Sequence, residues 1–451
     1  MKKFIIPLVF LCCLTLVSQS LGADIESRLR LIEETLNKQA ETIKEQQKTI
    51  NELKERSKTS NNASGEAIAP TSTMSKPEDQ QATKATGLFG GSALMNPNIS
   101  LVLDTYGYGS SLSNDELKKR GIQGYTQEGI DRNNGFNLDA AELYIYAPVD
   151  PYFNVYATIP VTENGAAVEE AYLVTTALPQ GHQLKAGKFR SGVGRLNAQH
   201  PHVWDFVDAP LPYRAFIGGE GIVEKGAQYT YLPPWPFYTM LGVEVLQGDN
   251  NTLFGSDAAK GAHAYTAFAK ASLDVSDNAT ILFGPSVLTG KTKTDTVQAA
   301  ADFQGDSTLY GLEFTYKWKP SLFQGFKLQS EYLYRFQTGD LTDATLGTVQ
   351  RLARYQDGLY LQGIYLMDRW EFGVRYDTLS LFKDDYILGG TKQDLSRKPW
   401  RASAMADYNF SEFSLLRLQY NHDESNVLGP VNHELFLQFI LSIGAHAAHQ
   451  F

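Results

Sequence analysis

Tyr310–Trp318 reads YGLEFTYKW and Phe326–Phe336 reads FKLQSEYLYRF. In the first stretch Tyr310, Leu312, Phe314, Tyr316 and Trp318 share one face, and Gly311, Glu313, Thr315 and Lys317 share the other. In the second, Phe326, Leu328, Ser330, Tyr332, Tyr334 and Phe336 oppose Lys327, Gln329, Glu331, Leu333 and Arg335. A side-chain period of two belongs to a β-strand with one apolar and one polar face. The pattern returns at Trp370–Asp377, Trp400–Tyr408 and Glu434–Ile443. It starts near Gly87 and continues to Phe451, which predicts an all-β segment over 87–451.

A water-soluble sandwich alternates in the same way, so other features must decide. The strands run about 10 to 13 residues, the length that crosses a bilayer at a tilt rather than the 5 or 6 usual in soluble sheets. Tyr, Phe and Trp gather near the ends of the apolar faces, where an aromatic girdle lies. Connections alternate between short and long. The short ones are Val149–Pro151, Pro179–Gly181, Pro233–Pro236, Ser276–Asp277, Lys319–Gln324, Asp368–Arg369 and Ser411–Glu412. The long ones fall near 110–134, 162–165, 191–223, 248–261, 291–306, 338–350, 382–396 and 423–431. Seven short turns and eight outer loops predict a transmembrane antiparallel β-barrel of about 16 strands, with 14 and 18 as the neighbouring even counts. Both termini then fall on the short-turn, periplasmic side. The terminal Phe451 suits a chain delivered to the outer membrane.

Upstream the pattern differs. Lys2, Lys3, the apolar run Phe4–Val17 and the small residues up to Ala23 form a secretory signal, 1–22, cleaved after Gly22 or Ala23. Cleavage removes Cys12 and Cys13, the only cysteines, so no disulfide or thiolate chemistry is expected. Over 24–56, Leu29, Leu36, Ile43 and Ile50 interleave with Ile25, Ile32, Gln39, Gln46 and Leu53 at heptad spacing, which predicts a periplasmic α-helical coiled coil. Ile layers with Gln at two core positions favour a homotrimer. Residues 57–86, rich in Ser, Thr, Asn, Ala and Lys, read as a flexible linker.

The formal charge is -10. Nucleic acid is therefore not an expected partner, because phosphate contacts need clustered Lys and Arg. No nucleophile elbow, phosphate loop or metalloprotease helix occurs, so the chain is not expected to be an enzyme, and no cofactor is assigned.

Leu184–Pro234, LKAGKFRSGVGRLNAQHPHVWDFVDAPLPYRAFIGGEGIVEKGAQYTYLPP, and the end LFLQFILSIGAHAAHQF resemble the phosphate-selective porin O and P family over about Gly87–Phe451. The resemblance implies a sixteen-stranded trimeric porin whose third outer loop folds inward to narrow the pore. By chain order that loop is 191–223. The arginine and lysine ladder of phosphate-selective members is missing. Residues 87–451 hold 28 Lys+Arg against 39 Asp+Glu.

The loop and its flanks supply the constriction candidates: Lys188, Arg190, Arg195, Asp205, Asp208, Arg214 and Glu220. Opposed charges there would set up a transverse field that selects solutes. The alternative is that they pair and pin the loop to the wall. Pore-lining candidates are Glu313, Lys317, Glu331, Arg335, Glu371, Arg375 and Arg401. His200 and His202 have metal-ligand spacing, but no third ligand follows from spacing, so they read as polar loop histidines and no metal is assigned.

The expected function is passive diffusion of small hydrophilic solutes or ions through the outer membrane of a Gram-negative cell, with membrane lipid around the barrel. The alternatives are a structural anchor whose coiled coil holds peptidoglycan, and a TonB-coupled or metal-related uptake receptor, which would need a plug domain before the barrel.

Overall fold

The structure, a computed structural model, describes residues 97–444 apart from 256–257, 298–300, 344–345 and 396, together with Lys44. The expected signal peptide, coiled coil and linker lie outside the described residues, Lys44 excepted, as do His446, His449 and Phe451. The chain divides into Met1–Ala82 and Thr83–Phe451. The barrel belongs to the second unit.

Sixteen strands follow one another antiparallel. They are β1 (Asn98–Ser110), β2 (Gly135–Asp150), β3 (Phe153–Thr162), β4 (Glu170–Thr175), β5 (His182–Arg190), β6 (Val223–Tyr231), β7 (Tyr238–Leu246) and β8 (Ala264–Ser276), then β9 (Ala279–Thr294), β10 (Ala301–Ser321), β11 (Gln324–Asp343), β12 (Val349–Met367), β13 (Trp370–Leu388), β14 (Trp400–Ser411), β15 (Ser414–Asp423) and β16 (Asn432–Gly444). Two-residue ladders at Gly165–Ala166 and Thr391–Lys392 prolong β3 and β13. β1 pairs with β16 as well as β2, Leu103 opposite Leu441 and Tyr106 opposite Gln438, so the sheet closes into a barrel with no free edge.

Alternation decides what each strand shows. On β11, Glu331, Leu333, Arg335 and Gln337 are buried inside, while Tyr332, Tyr334 and Phe336 turn outward. The outer surface carries exposed Leu241, Val243, Val245, Leu312, Leu361, Val374, Leu418 and Leu437. A continuous apolar exterior of this size is stable against lipid and costly against water. Tyr152, Phe153, Trp235, Phe237, Phe323, Trp370, Phe410 and Phe413 are exposed around the short-turn rim, an aromatic girdle.

Three of the long connections are shorter than the sequence suggests. The polar stretches near 291–306, 338–350 and 382–396 largely continue the ladder, with Lys291 opposite Asp306, Thr342 opposite Val349 and Leu388 opposite Leu352. β10 to β13 thereby reach 19 to 21 residues. A strand crosses the bilayer in about 9–11 residues, so these hairpins extend past it on the loop side. Beyond the lipid, Thr, Lys and Asp no longer betray a strand by polarity.

Candidate pore and its inward loop

The connection between β5 and β6, residues 191–222, is loop 3, and it folds into the barrel. Its own residues give the reason. Trp204, Phe206, Leu211, Tyr213, Phe216 and Ile217 are each 5% exposed or less. Burying one such side chain is worth about 1.5–3 kcal/mol. Pro210 and Pro212 open the short helix Leu211–Phe216, where a missing N–H is tolerated. The loop packs on Phe189, Leu246, Leu288, Leu309, Leu333 and Leu379 from the wall, forming a hydrophobic core inside the barrel. Phe206 meets Ile364 and Met405, and Val207 meets Tyr106, Tyr108 and Phe436. The first outer loop, 111–134, joins the same clusters through Ile122, Tyr125, Leu117 and Ile130. Its Arg120 donates to the Asp423 carboxylate and the Pro430 carbonyl.

Buried charges then hold loop 3 in register. Glu313 and Glu331 stand directly opposite each other on the inner face of β10 and β11, a repulsive arrangement unless each is satisfied. Lys270 Nζ lies 3.3 Å from both carboxylate oxygens of Glu313 and also donates to the Gly194 carbonyl. Glu331 accepts from the backbone N–H of Arg195 and Leu196 (3.1 and 2.9 Å) and from the hydroxyls of Tyr213 and Tyr360 (3.0 and 2.6 Å). Further along, Asp208 accepts from Arg375 (2.8 Å), Arg401 (2.6 Å), Gln419 (2.8 Å) and Asn421 (3.1 Å). The same two arginines donate to the Asp208 and Ala209 carbonyls, and both pair with Asp377. Burial alone would raise the Asp208 carboxyl, but Arg401 and Arg375 outweigh it and hold it well below the usual carboxylate range. Asp205 binds Lys327 at 2.6 Å and Gln362 at 2.6 Å.

The helix of loop 3 packs on β11, β12 and β13. Half the ring away, the inner face of β2 to β4 carries the half-buried Tyr144, Tyr146, Tyr156 and Tyr172. Ring centroids of Tyr146 and Tyr156 lie 5.1 Å apart, as do those of Tyr156 and Tyr172. Lys185 Nζ sits 4.9 Å from the Tyr172 centroid and 5.3 Å from that of Phe189, within cation–π range. Loop 3 reaches this wall at His200, whose Nε2 is 2.8 Å from Glu170, with Glu142 and Glu169 close by. Burial disfavours a charged imidazole, but the adjoining Glu142 and Glu170 carboxylates outweigh it and hold His200 up at about 9. These carboxylates favour any cation at that point. Below the loop, a vestibule of about 1080 Å³ faces the short turns, lined among others by Arg195, His202, Asp205, Lys317, Lys327 and Glu371.

An uncharacterized protein of Aquifex aeolicus (strain VF5) is 40% identical over 384 residues, covering 79% of this chain and 80% of its own. The chain belongs to that protein's family. No family model matches the chain. The outer membrane channel DcaP of Acinetobacter baumannii superposes with a TM-score of 0.52 at 14% identity, over 78% of this chain and 99% of that one. The anion-selective porin from Comamonas acidovorans gives a TM-score of 0.47 at 9% identity, over 77% and 99%. The barrel fold is shared with the DcaP outer membrane channel. The narrower likeness to the phosphate-selective O and P family rests on the sequence motifs alone.

The candidates from sequence separate by their surroundings. Glu313, Glu331, Arg335, Arg375, Arg401 and Asp208 lie inside the barrel but are buried in the seam between loop 3 and the wall. Asp205, Arg195, Lys317 and Glu371 line the vestibule. Lys188 points away from the lumen, a correction to its place among the constriction residues. It pairs with Ala171 on the outward register, and its Nζ donates to the Val168 carbonyl. Its neighbours Phe189 and Lys185 take the inner positions because parity alternates. Arg190 is buried at the root of loop 3, pairing with Glu169 and donating to the Glu220 carbonyl. Glu220 itself is exposed. Burial lowers the Arg214 guanidinium from its usual value. The tyrosine row has no counterpart among the sequence candidates, because aromatics near strand ends point first to the outer girdle. Tyr144 and Tyr146 do share parity with the inward Glu142, which is the available signal.

Proposed function

We propose that the chain is an outer-membrane porin passing small hydrophilic solutes or ions by passive diffusion, with loop 3 as its constriction. The observation that supports this most is loop 3 itself, anchored across the interior on β11 to β15 and touching the opposite wall at His200 and His202. Water then has the tyrosine-lined side and the vestibule left to it. The wall that loop 3 meets at His200 holds the buried Glu142 and Glu170 and the half-buried Glu169, and residues 87–451 carry the acidic excess. We infer weak selectivity leaning to cations rather than a phosphate channel. The chain assembles as a homotrimer through its coiled coil in this reading, surrounded by outer-membrane lipid.

Single-channel recording in planar bilayers tests it. Wild type should give discrete conductance steps with a small cation-favouring reversal potential in a KCl gradient. Deleting Val203–Phe216 should raise the step several-fold. Absence of steps removes the pore reading. An unchanged step after deletion removes the constriction, and tenfold preference for phosphate over chloride would reveal an unrecognised basic path.

A further inference from the structure

The His200-Pro201-His202 segment carries chemistry that a diffusion pore does not need. Pro201 opens a single 3-10 turn, Pro201–Val203, which sets both imidazoles on the same side with ring centroids 5.7 Å apart. Facing them from β2 is Glu142, buried on the inner wall. Its Oε2 lies 3.4 Å from Nδ1 of His200 and 3.4 Å from Nδ1 of His202. One donor atom from each of the three residues falls within 4.8 Å of the other two.

Two readings of these contacts can be separated by distance. An imidazole N–H to a carboxylate oxygen prefers about 2.7–3.2 Å. Both separations to Glu142 exceed that, although His200 Nε2 reaches Glu170 at an ordinary 2.8 Å. A tetrahedral metal with bonds of about 2.0–2.1 Å has ligand-to-ligand edges of about 3.4 Å. The Glu142 edges have that length. The contact to Glu170 has the form of the outer support that metal-bound histidines need, a carboxylate accepting from the second ring nitrogen. With Nδ1 on a metal, Nε2 carries the proton and donates to Glu170, which the Arg190 backbone N–H holds in turn at 2.6 Å. Glu169 Oε2, 3.9 Å from His200 Nδ1, stands beside the site as an additional acidic donor.

We propose that His200, His202 and Glu142 bind one divalent first-row transition ion, Zn²⁺ by donor set, tying loop 3 to β2. Two imidazoles and one carboxylate leave a fourth position for water or an anionic solute, as in open zinc sites. The ions reach it from the vestibule, where His202 is part of the lining. The attachment is made at the point where loop 3 meets the wall opposite its other anchors. The binding claim does not depend on the pore reading. Only its consequence for conductance does.

Calorimetric titration of ZnCl₂ into the untagged, EDTA-stripped, detergent-extracted full chain tests it without any current measurement. The expected result is one Zn²⁺ per chain, and a visible band of tetrahedral Co²⁺ when CoCl₂ replaces it. Glu170→Gln should weaken binding by about 10–100-fold, the usual effect of losing an outer support. His202→Asn and Glu142→Gln should weaken it further. His182→Asn, far from the site and stacked on Tyr231, should bind as wild type does. Heat-modifiable mobility on gels reports that each variant is a folded barrel. Equal Zn²⁺ binding by wild type and folded His202→Asn, or no binding by wild type, overturns the proposal.

Discussion

Asp208→Asn tests whether buried charge keeps loop 3 docked. The carboxylate sits between Arg375 and Arg401 with side chains 2% exposed on all three residues. The substitution preserves shape and one acceptor but deletes the negative charge, leaving two arginines to share Asp377. Breaking a buried pair from one side costs about 3–5 kcal/mol. Asp377 still compensates part of the charge, so the lower end applies. At about 1.4 kcal/mol per decade, detachment of the segment around 203–210 should become about a hundredfold more frequent. The barrel ladder is untouched, so the heat-modifiable gel shift should persist. Amide hydrogen exchange followed by mass spectrometry should show faster exchange in that segment, and single-channel records should show larger, noisier conductance. Exchange and noise at wild-type levels in a folded variant would refute the argument that the Asp208 pairs dock the loop.

Gly194→Ala should loosen the first anchor of loop 3. Gly194 has φ +73°, and a Cβ there would lie 2.4 Å from Glu331 Oε2. The left-handed conformation alone costs about 1–2 kcal/mol, so faster exchange over 194–197 is the expected readout, and an unchanged rate would count against the anchor. Acid should leave the Asp208 pairs intact well into the mildly acidic range. A carboxyl depressed in the folded state contributes stability above the unfolded value of about 3.9 and loses it only as pH falls through the lower folded value. Loop 3 exchange, corrected for intrinsic rate, should therefore match between pH 7 and 5, and detachment by pH 5 would contradict the assignment. Native mass spectrometry of the full chain should give three subunits, and removing residues 24–56 should reduce that assembly. A wild-type monomer at high concentration would exclude the trimer.

Strand existence, strand count and the side of each turn are legible in YGLEFTYKW, FKLQSEYLYRF and their repeats, because a period of two needs no knowledge of neighbours. The inward fold of loop 3 is suggested by its aromatic content, since Trp204, Phe206 and Phe216 are too apolar to be left in water. Loop lengths above the bilayer are not legible, because Lys291 and Asp306 look the same in a hairpin extension as in a loop. Nor is the environment of an inward charge. Alternation places Arg375 and Arg401 on the inner face, but whether they meet water or Asp208 depends on where a segment far away in sequence comes to rest. Lys188 marks the local limit, where a run of basic residues suggests one cluster and one step of parity sends it outward. The meeting of His200 and His202 with Glu142 is decided by tertiary structure alone. Spacing along one chain segment can supply two ligands, and a third from another strand has no sequence signature, because strand register and loop docking together create the distance.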